Sequence, residues 1–146
     1  MRADIEKQLI YRHSSIFSEY TRDFYSEGNS NKRLFSAGIF DVGEGWQPII
    51  HSVIFAFEEI NAELIKANET CKISIDSFQK HREELLVNLS HEPELDIASI
   101  KKALLVIKTA SFACKYICED CGYHHMQQNI KHGTKCNICK YRSEKQ

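Results

Sequence analysis

A chain of 146 residues with 42% hydrophobic side chains can bury one real core, either as a compact domain with an appendage or as two small intimate units. Its net charge of −1 argues against a general electrostatic attraction to nucleic acid, and its longest apolar runs, Val53–Phe57 and Ala103–Ile107, are far too short to span a membrane. The N-terminal Met1-Arg-Ala-Asp-Ile-Glu-Lys7 lacks the apolar stretch of a secretory signal, so the expected location is the cytoplasm, where thiols stay reduced.

In chain order, Ile5, Leu9, Ile16, Phe17, Tyr20 and Phe24 recur at roughly helical spacing. They predict a first helix from about Asp4 to Tyr25, weakened in its middle by His13-Ser14-Ser15. The polar, glycine-bearing Glu27–Lys32 breaks the pattern, and Leu34–Val42 brings Phe35, Ile39 and Phe40 into a short extended or irregular piece. Pro48 suits the first turn of a second helix, where no amide hydrogen is needed. From there Ile49, Ile50, Val53, Ile54, Phe57, Ile60, Leu64 and Ile65 form a wide apolar stripe with Glu58, Glu59 and Glu63 opposite, the pattern of a core helix ending near Asn68. Lys72–Phe78 alternates with period two and reads as a half-buried strand, with Glu84–Leu89 as its expected partner. Pro93 opens a third helix running to about Tyr116, with Ile97, Ile100, Leu104, Ile107, Ser111 and Cys114 on one face. That face leads directly into Cys118. The expected fold class is α+β: a mainly helical domain over residues 1–114 with a small strand pair, then a four-cysteine zinc ribbon over residues 115–146.

The chemistry is concentrated in that C-terminal stretch. Cys118-Glu-Asp-Cys121 and Cys136-Asn-Ile-Cys139 are two CxxC pairs with fourteen residues between them. Each pair turns two thiolates toward one point, and the intervening stretch is long enough for a hairpin that brings the second pair alongside. Thiolates so spaced select Zn2+ in a closed tetrahedral shell, a structural site with no position left for substrate. Iron, held in the manner of rubredoxin, is the alternative occupant. Gly122 follows the second cysteine, where a knuckle turns sharply. His124, His125 and His132 lie between the pairs, and with the shell closed by cysteines they are expected to be exposed loop residues. Residues 115–146 carry Lys115, Lys131, Lys135, Lys140, Arg142 and Lys145 against Glu119, Asp120 and Glu144, a balance of +3 that contrasts with −4 for residues 1–114. A zinc tetrathiolate contributes about −2, so the tail is only weakly basic.

Other constellations read as structural. Cys71 and Cys114 have no histidine pattern beside them and are expected to be buried thiols. Gly43-Glu-Gly45-Trp46-Gln-Pro48 fails as a phosphate-binding loop, because Pro48 stands where a third glycine is needed and no Lys-Ser/Thr follows. Its glycines are expected to make a tight approach to the second helix while Trp46 packs on the core; an anion held by backbone amides is the alternative. His51, His81-Arg-Glu-Glu84 and His91-Glu92 place bases beside carboxylates, but their spacing does not converge on one point. Tyr123 and Tyr141 follow the two cysteine pairs, placed either to cover the metal or to stack on bases.

Two segments, Leu9-Ile-Tyr-Arg-His-Ser-Ser-Ile-Phe17 and Phe40-Asp-Val-Gly-Glu-Gly-Trp-Gln-Pro-Ile-Ile50, resemble those of small proteins of bacteriophages and bacterial genomes. Such proteins carry a Cys-Gly-Asp-Gly-Trp motif opening a helix and a CxxCG knuckle after a later helix. Here Val42-Gly-Glu-Gly-Trp46 matches except at the cysteine, and Lys108-Thr-Ala-Ser111 leading to Cys118-Glu-Asp-Cys-Gly122 matches the tail. The missing cysteine argues against a catalytic or metal role at Val42. The resemblance implies a phage or mobile-element origin and assigns no activity.

Together these readings predict a protein without enzymatic activity that uses structural zinc and binds a macromolecular partner, a protein before a nucleic acid and not a membrane. An inhibitor or modulator of a host system such as antiviral defence has this form. The alternative is a nucleic-acid-binding transcriptional regulator that uses the lysines and tyrosines of the ribbon.

Overall fold

The first helix, α1 (Ala3–Arg12), stops earlier than its periodicity predicts. In the computed structural model, which describes residues 1–19, 21–22, 39–67, 69–91, 94–124 and 135–144, His13 leaves helical geometry at φ −118° and ψ 35°. Phe17 then pairs with Ile75 in a single parallel bridge, fixed by Ile75 N–H donating to Ile16 O at 2.7 Å and Ser18 N–H donating to Ile75 O at 3.1 Å. The predicted helix from Asp4 to Tyr25 therefore breaks at His13-Ser14-Ser15. These residues favour helix weakly, and the break lets Ile16 and Phe17 bury completely. The buried Thr21 hydroxyl anchors the following turn by donating to Asp76 O at 3.0 Å. The Glu27–Lys32 break and most of Leu34–Val42 lie outside the described residues.

The expected strand pair is a three-stranded sheet. β1 (Phe40–Asp41) runs parallel to β2 (Ile73–His81), and β2 runs antiparallel to β3 (Glu84–His91), in the order β1-β2-β3. Phe40 is registered on Phe78, and their rings stack with centroids 5.3 Å apart. A register shift between Ile75 and Ser77 interrupts the alternation, so Ile73, Ser74 and Ile75 are all buried. Arg82, at φ 57°, supplies the left-handed residue of the tight turn into β3. Asn61 sets the start of β2: its amide group donates to Ile73 O at 2.8 Å and accepts from Ile73 N–H at 3.0 Å.

A 3-10 turn, Glu44–Trp46, leads into α2 (Gln47–Lys66), with Pro48 in the first turn as expected. Ile49, Ile50, Val53, Ile54, Phe57, Ile60 and Leu64 are buried, each contributing roughly 1.5–3 kcal/mol of transfer free energy. Ile65, expected in the same stripe, is exposed instead. α3 (Ile97–Cys114) starts where the Asp96 side chain accepts from Ser99 N–H at 2.9 Å, later than Pro93, and packs against α2 and β3. Its inward seam is Ile100, Ala103, Ile107, Ala110 and Cys114, alternating three and four residues apart. Ile97 and Leu104, expected on that face, point to solvent. Ala103 and Ala110 decide the rotation, because small side chains let α3 approach its neighbours closely. A short final helix, α4 (Asn137–Ser143), follows the second cysteine pair. The whole is α+β, with the four cysteines clustered at the C-terminal end.

Candidate metal centre

α3 delivers the chain to the first cysteine pair. After the turn at Lys115-Tyr116, Ile117 and His124 form an antiparallel bridge, with Cys118 N–H donating to Tyr123 O at 2.9 Å. Gly122 N–H donates to Cys118 O at 2.9 Å, and Gly122 sits at φ 73°, the left-handed conformation this tight turn demands. Cys118 and Cys121 thus occupy a rigid knuckle. The second pair is built differently from a ribbon's second hairpin tip: Cys136 is the N-cap of α4, its sulfur accepting from Cys139 N–H at 3.5 Å. The intervening segment, with His125 and His132, lies outside the described residues.

The four Sγ atoms of Cys118, Cys121, Cys136 and Cys139 lie within 4.8 Å of one another, and those of Cys121 and Cys136 are 3.8 Å apart. Zinc–sulfur bonds of about 2.3 Å in a tetrahedron require sulfurs about 3.8 Å apart, so the donor set fits. These cysteines can hold a metal ion. Burial disfavours the Cys118 thiolate, yet backbone N–H groups of Cys136, Cys121 and Asp120 outweigh it and bring the thiol down to about 7. Cys139 is pushed upward, by burial and by the sulfurs of Cys136, Cys121 and Cys118. One thiolate forms near neutrality and resists company. Only a cation makes the full set of negative sulfurs compatible. His124 is exposed and stands apart from this cluster, while Cys71 and Cys114 are buried in the core as expected. Tyr123 and Tyr141 are both more than half exposed.

The Gly43–Trp46 segment is the socket for the first knuckle. Gly45 N–H donates to Glu119 O at 2.6 Å, and the fully buried Trp46 donates its indole Nε1–H to Ile117 O at 2.9 Å. A Cβ on Gly43 would lie 2.1 Å from Glu119 O; one on Gly45 would lie 2.1 Å from Cys118 O and 2.4 Å from Gly122 N. Two backbones meet where no side chain fits. Beside them the buried Glu119 carboxylate takes Lys80 Nζ on both oxygens, at 2.7 and 2.9 Å, tying the knuckle to β2. The sequence reading anticipated the packing of Trp46 and missed the socket. Two glycines and a tryptophan without a phosphate-loop continuation marked a close approach of main chains, but not the segment that approaches.

Among the described residues, His51, His81 and His91 do not meet at one point. His51 lies on α2 with its ring 6.1 Å from that of His13, whose Nδ1 is 2.9 Å from Glu58 Oε1. Partial burial, then His13 and Arg12, lower the basicity of His51. His81 flanks the β2–β3 turn opposite Glu84, and His91 is at the far end of the hairpin opposite Ile73. No helix among the described residues is long and apolar enough to cross a membrane. No family model, curated protein or solved structure matches this chain.

Proposed function

We propose that this protein is a non-enzymatic, zinc-stabilised module that binds another protein in the cytoplasm. The closed donor set carries the reading: four cysteines fill a tetrahedral shell, so Zn2+ there serves structure and has no position for a substrate. What the metal fixes is a surface, since the knuckle is seated on the α+β domain through Gly43–Trp46 and Lys80–Glu119. Charge supports a protein over a nucleic acid as partner. Of the tail's basic residues, Lys115 is held by Glu84 at 2.6 Å and Lys135 by Asp120 at 3.0 Å, leaving fewer cations to neutralise phosphates. The resemblance to phage and mobile-element proteins extends the proposal to a modulator of a host system, antiviral defence included.

Titration of the zinc-loaded protein with labelled duplex and single-stranded DNA and RNA across a salt series tests the choice of partner. Weak binding that vanishes near physiological salt is expected, with a protein partner retained under the same conditions. Tight nucleic-acid binding at physiological salt, lost when Lys131, Lys135 and Lys140 become alanine, would replace this reading with the transcriptional regulator.

A further inference from the structure

α3 carries two apolar stripes, and only one of them is covered. The inner seam packs on α2 and β3. On the outer side, Ile97 is 71% exposed, Leu104 49%, Leu105 66% and Phe112 60%. At about 100° per residue these four side chains fall within an arc of about 100°, the width of a stripe that normally faces a core. Single exposed apolar residues are ordinary on a protein surface; a contiguous set along one helix face marks a contact site.

The same arc contains Lys101 and Lys108, both exposed and neither with an ion-pair partner among the described residues. They are seven residues apart, two helical turns and about 10 Å. The whole of α3 contains no aspartate or glutamate. This charge pattern selects the occupant. A second copy docked by two-fold symmetry would set the lysines of one stripe against those of the other, with no carboxylate on either helix to relieve them. A lipid surface attractive to lysines is anionic and would repel the remainder of residues 1–114, whose net charge is −4.

We propose that the outer stripe of α3 is the docking surface for an amphipathic helix of a protein partner, apolar along its centre and carrying carboxylates about two turns apart for Lys101 and Lys108. The inference rests on the protein-binding reading above and assigns it a surface and a partner chemistry. An apolar centre with flanking charge pairs gives affinity through the former and register through the latter.

The test uses the full-length zinc-loaded protein and a synthetic amphipathic helical peptide with a leucine stripe and glutamates seven residues apart. A twin peptide with lysines in place of the glutamates is the control. Fluorescence anisotropy should show binding of the acidic peptide, weakened about tenfold or more by Leu105→Ser or Phe112→Ser. Both side chains are exposed, so unchanged melting temperatures will certify the fold. The Lys101→Glu/Lys108→Glu variant should lose the acidic peptide and gain the lysine twin. Failure of the acidic peptide to bind, or indifference to charge reversal, would overturn the proposal. So would self-association abolished by Leu105→Ser, or flotation with phosphatidylserine-containing vesicles that depends on Leu105 and Phe112. A native protein partner whose binding ignores all these variants would refute this surface and leave the protein-binding reading intact; specific nucleic-acid binding would remove that reading itself.

Discussion

Gly45→Ala should unseat the knuckle, and its cost can be worked from the geometry. Gly45 does not adopt a positive φ, so its backbone accepts alanine, which in an open setting stabilises by about 0.4–1 kcal/mol through the unfolded chain. Here the new Cβ would stand 2.1 Å from Cys118 O and 2.4 Å from Gly122 N, both backbone atoms without a rotamer to escape into. Restoring ordinary contact at 3.4 Å means a retreat of roughly 1.3 Å by the knuckle. That retreat stretches the Gly45–Glu119 and Trp46–Ile117 hydrogen bonds, now 2.6 and 2.9 Å, toward or past the useful range. An unpaired buried donor costs about 1–3 kcal/mol, and overpacking about the same, giving a loss of about 2–6 kcal/mol. Such a loss is a large part of a small domain's stability. Urea unfolding followed through Trp46, the only tryptophan and itself in the socket, measures it directly. Zinc retention against a chromogenic chelator should fall in parallel. Glu44→Ala is the control: its side chain is half exposed and, among the described residues, pairs with exposed Arg2, so about 0.5 kcal/mol or less is expected. In a Cys118→Ser/Cys121→Ser background the Gly45→Ala penalty should shrink, because the obstructing turn is already loosened. Gly45→Ala within about 0.5 kcal/mol of wild type, with unchanged zinc retention, would refute the socket.

Elemental analysis of the reduced, purified protein should find about one zinc per chain, with Cys118→Ser and Cys139→Ser each depleted; full zinc in both variants would remove these ligands. Chelation should raise hydrogen exchange at residues 117–124 and 43–46 while residues 49–65 stay protected, since the apolar face of α2 is buried among other apolar side chains of the core. Complete loss of protection over α2 would contradict this. Burial raises the Cys114 thiol from 9.0 to about 12, so the folded state holds its proton more tightly than the unfolded chain does. The resulting contribution to stability is intact below pH 9 and lost as pH rises toward 12. Cys114→Ala should therefore show a shallower alkaline decline than wild type in urea titrations across that window; parallel slopes would exclude the effect.

Legibility in the sequence followed the range of the interaction. The cysteine cluster was readable because CxxC spacing is local, and α2 was readable because large aliphatic side chains write its period plainly. The inner face of α3 was not, because Ala103 and Ala110 define it and a count of large residues passes over them. α1 was overextended because the competing pairing of Phe17 with Ile75 joins positions far apart in sequence. β1 was seen only as a short extended piece, its two residues being too few to show an alternation. The socket escaped for a different reason. Close approach of two main chains leaves its mark as side chains that are missing, and Gly43 and Gly45 carry no sign of which segment they admit.

The Trp46–Ile117 hydrogen bond also sets an order of events during synthesis. Trp46 is made 71 residues ahead of its acceptor, roughly 4–14 s earlier at about 5–20 residues per second. Until Ile117 is available the indole N–H has no counterpart, and the surface meant for the knuckle stays open after α2 and the sheet have been synthesised. Polypeptides interrupted upstream of Ile117 carry that opening permanently and should be trimmed by proteases that spare the finished chain. The cysteine-bearing turn is thus the last part of the socket to be synthesised.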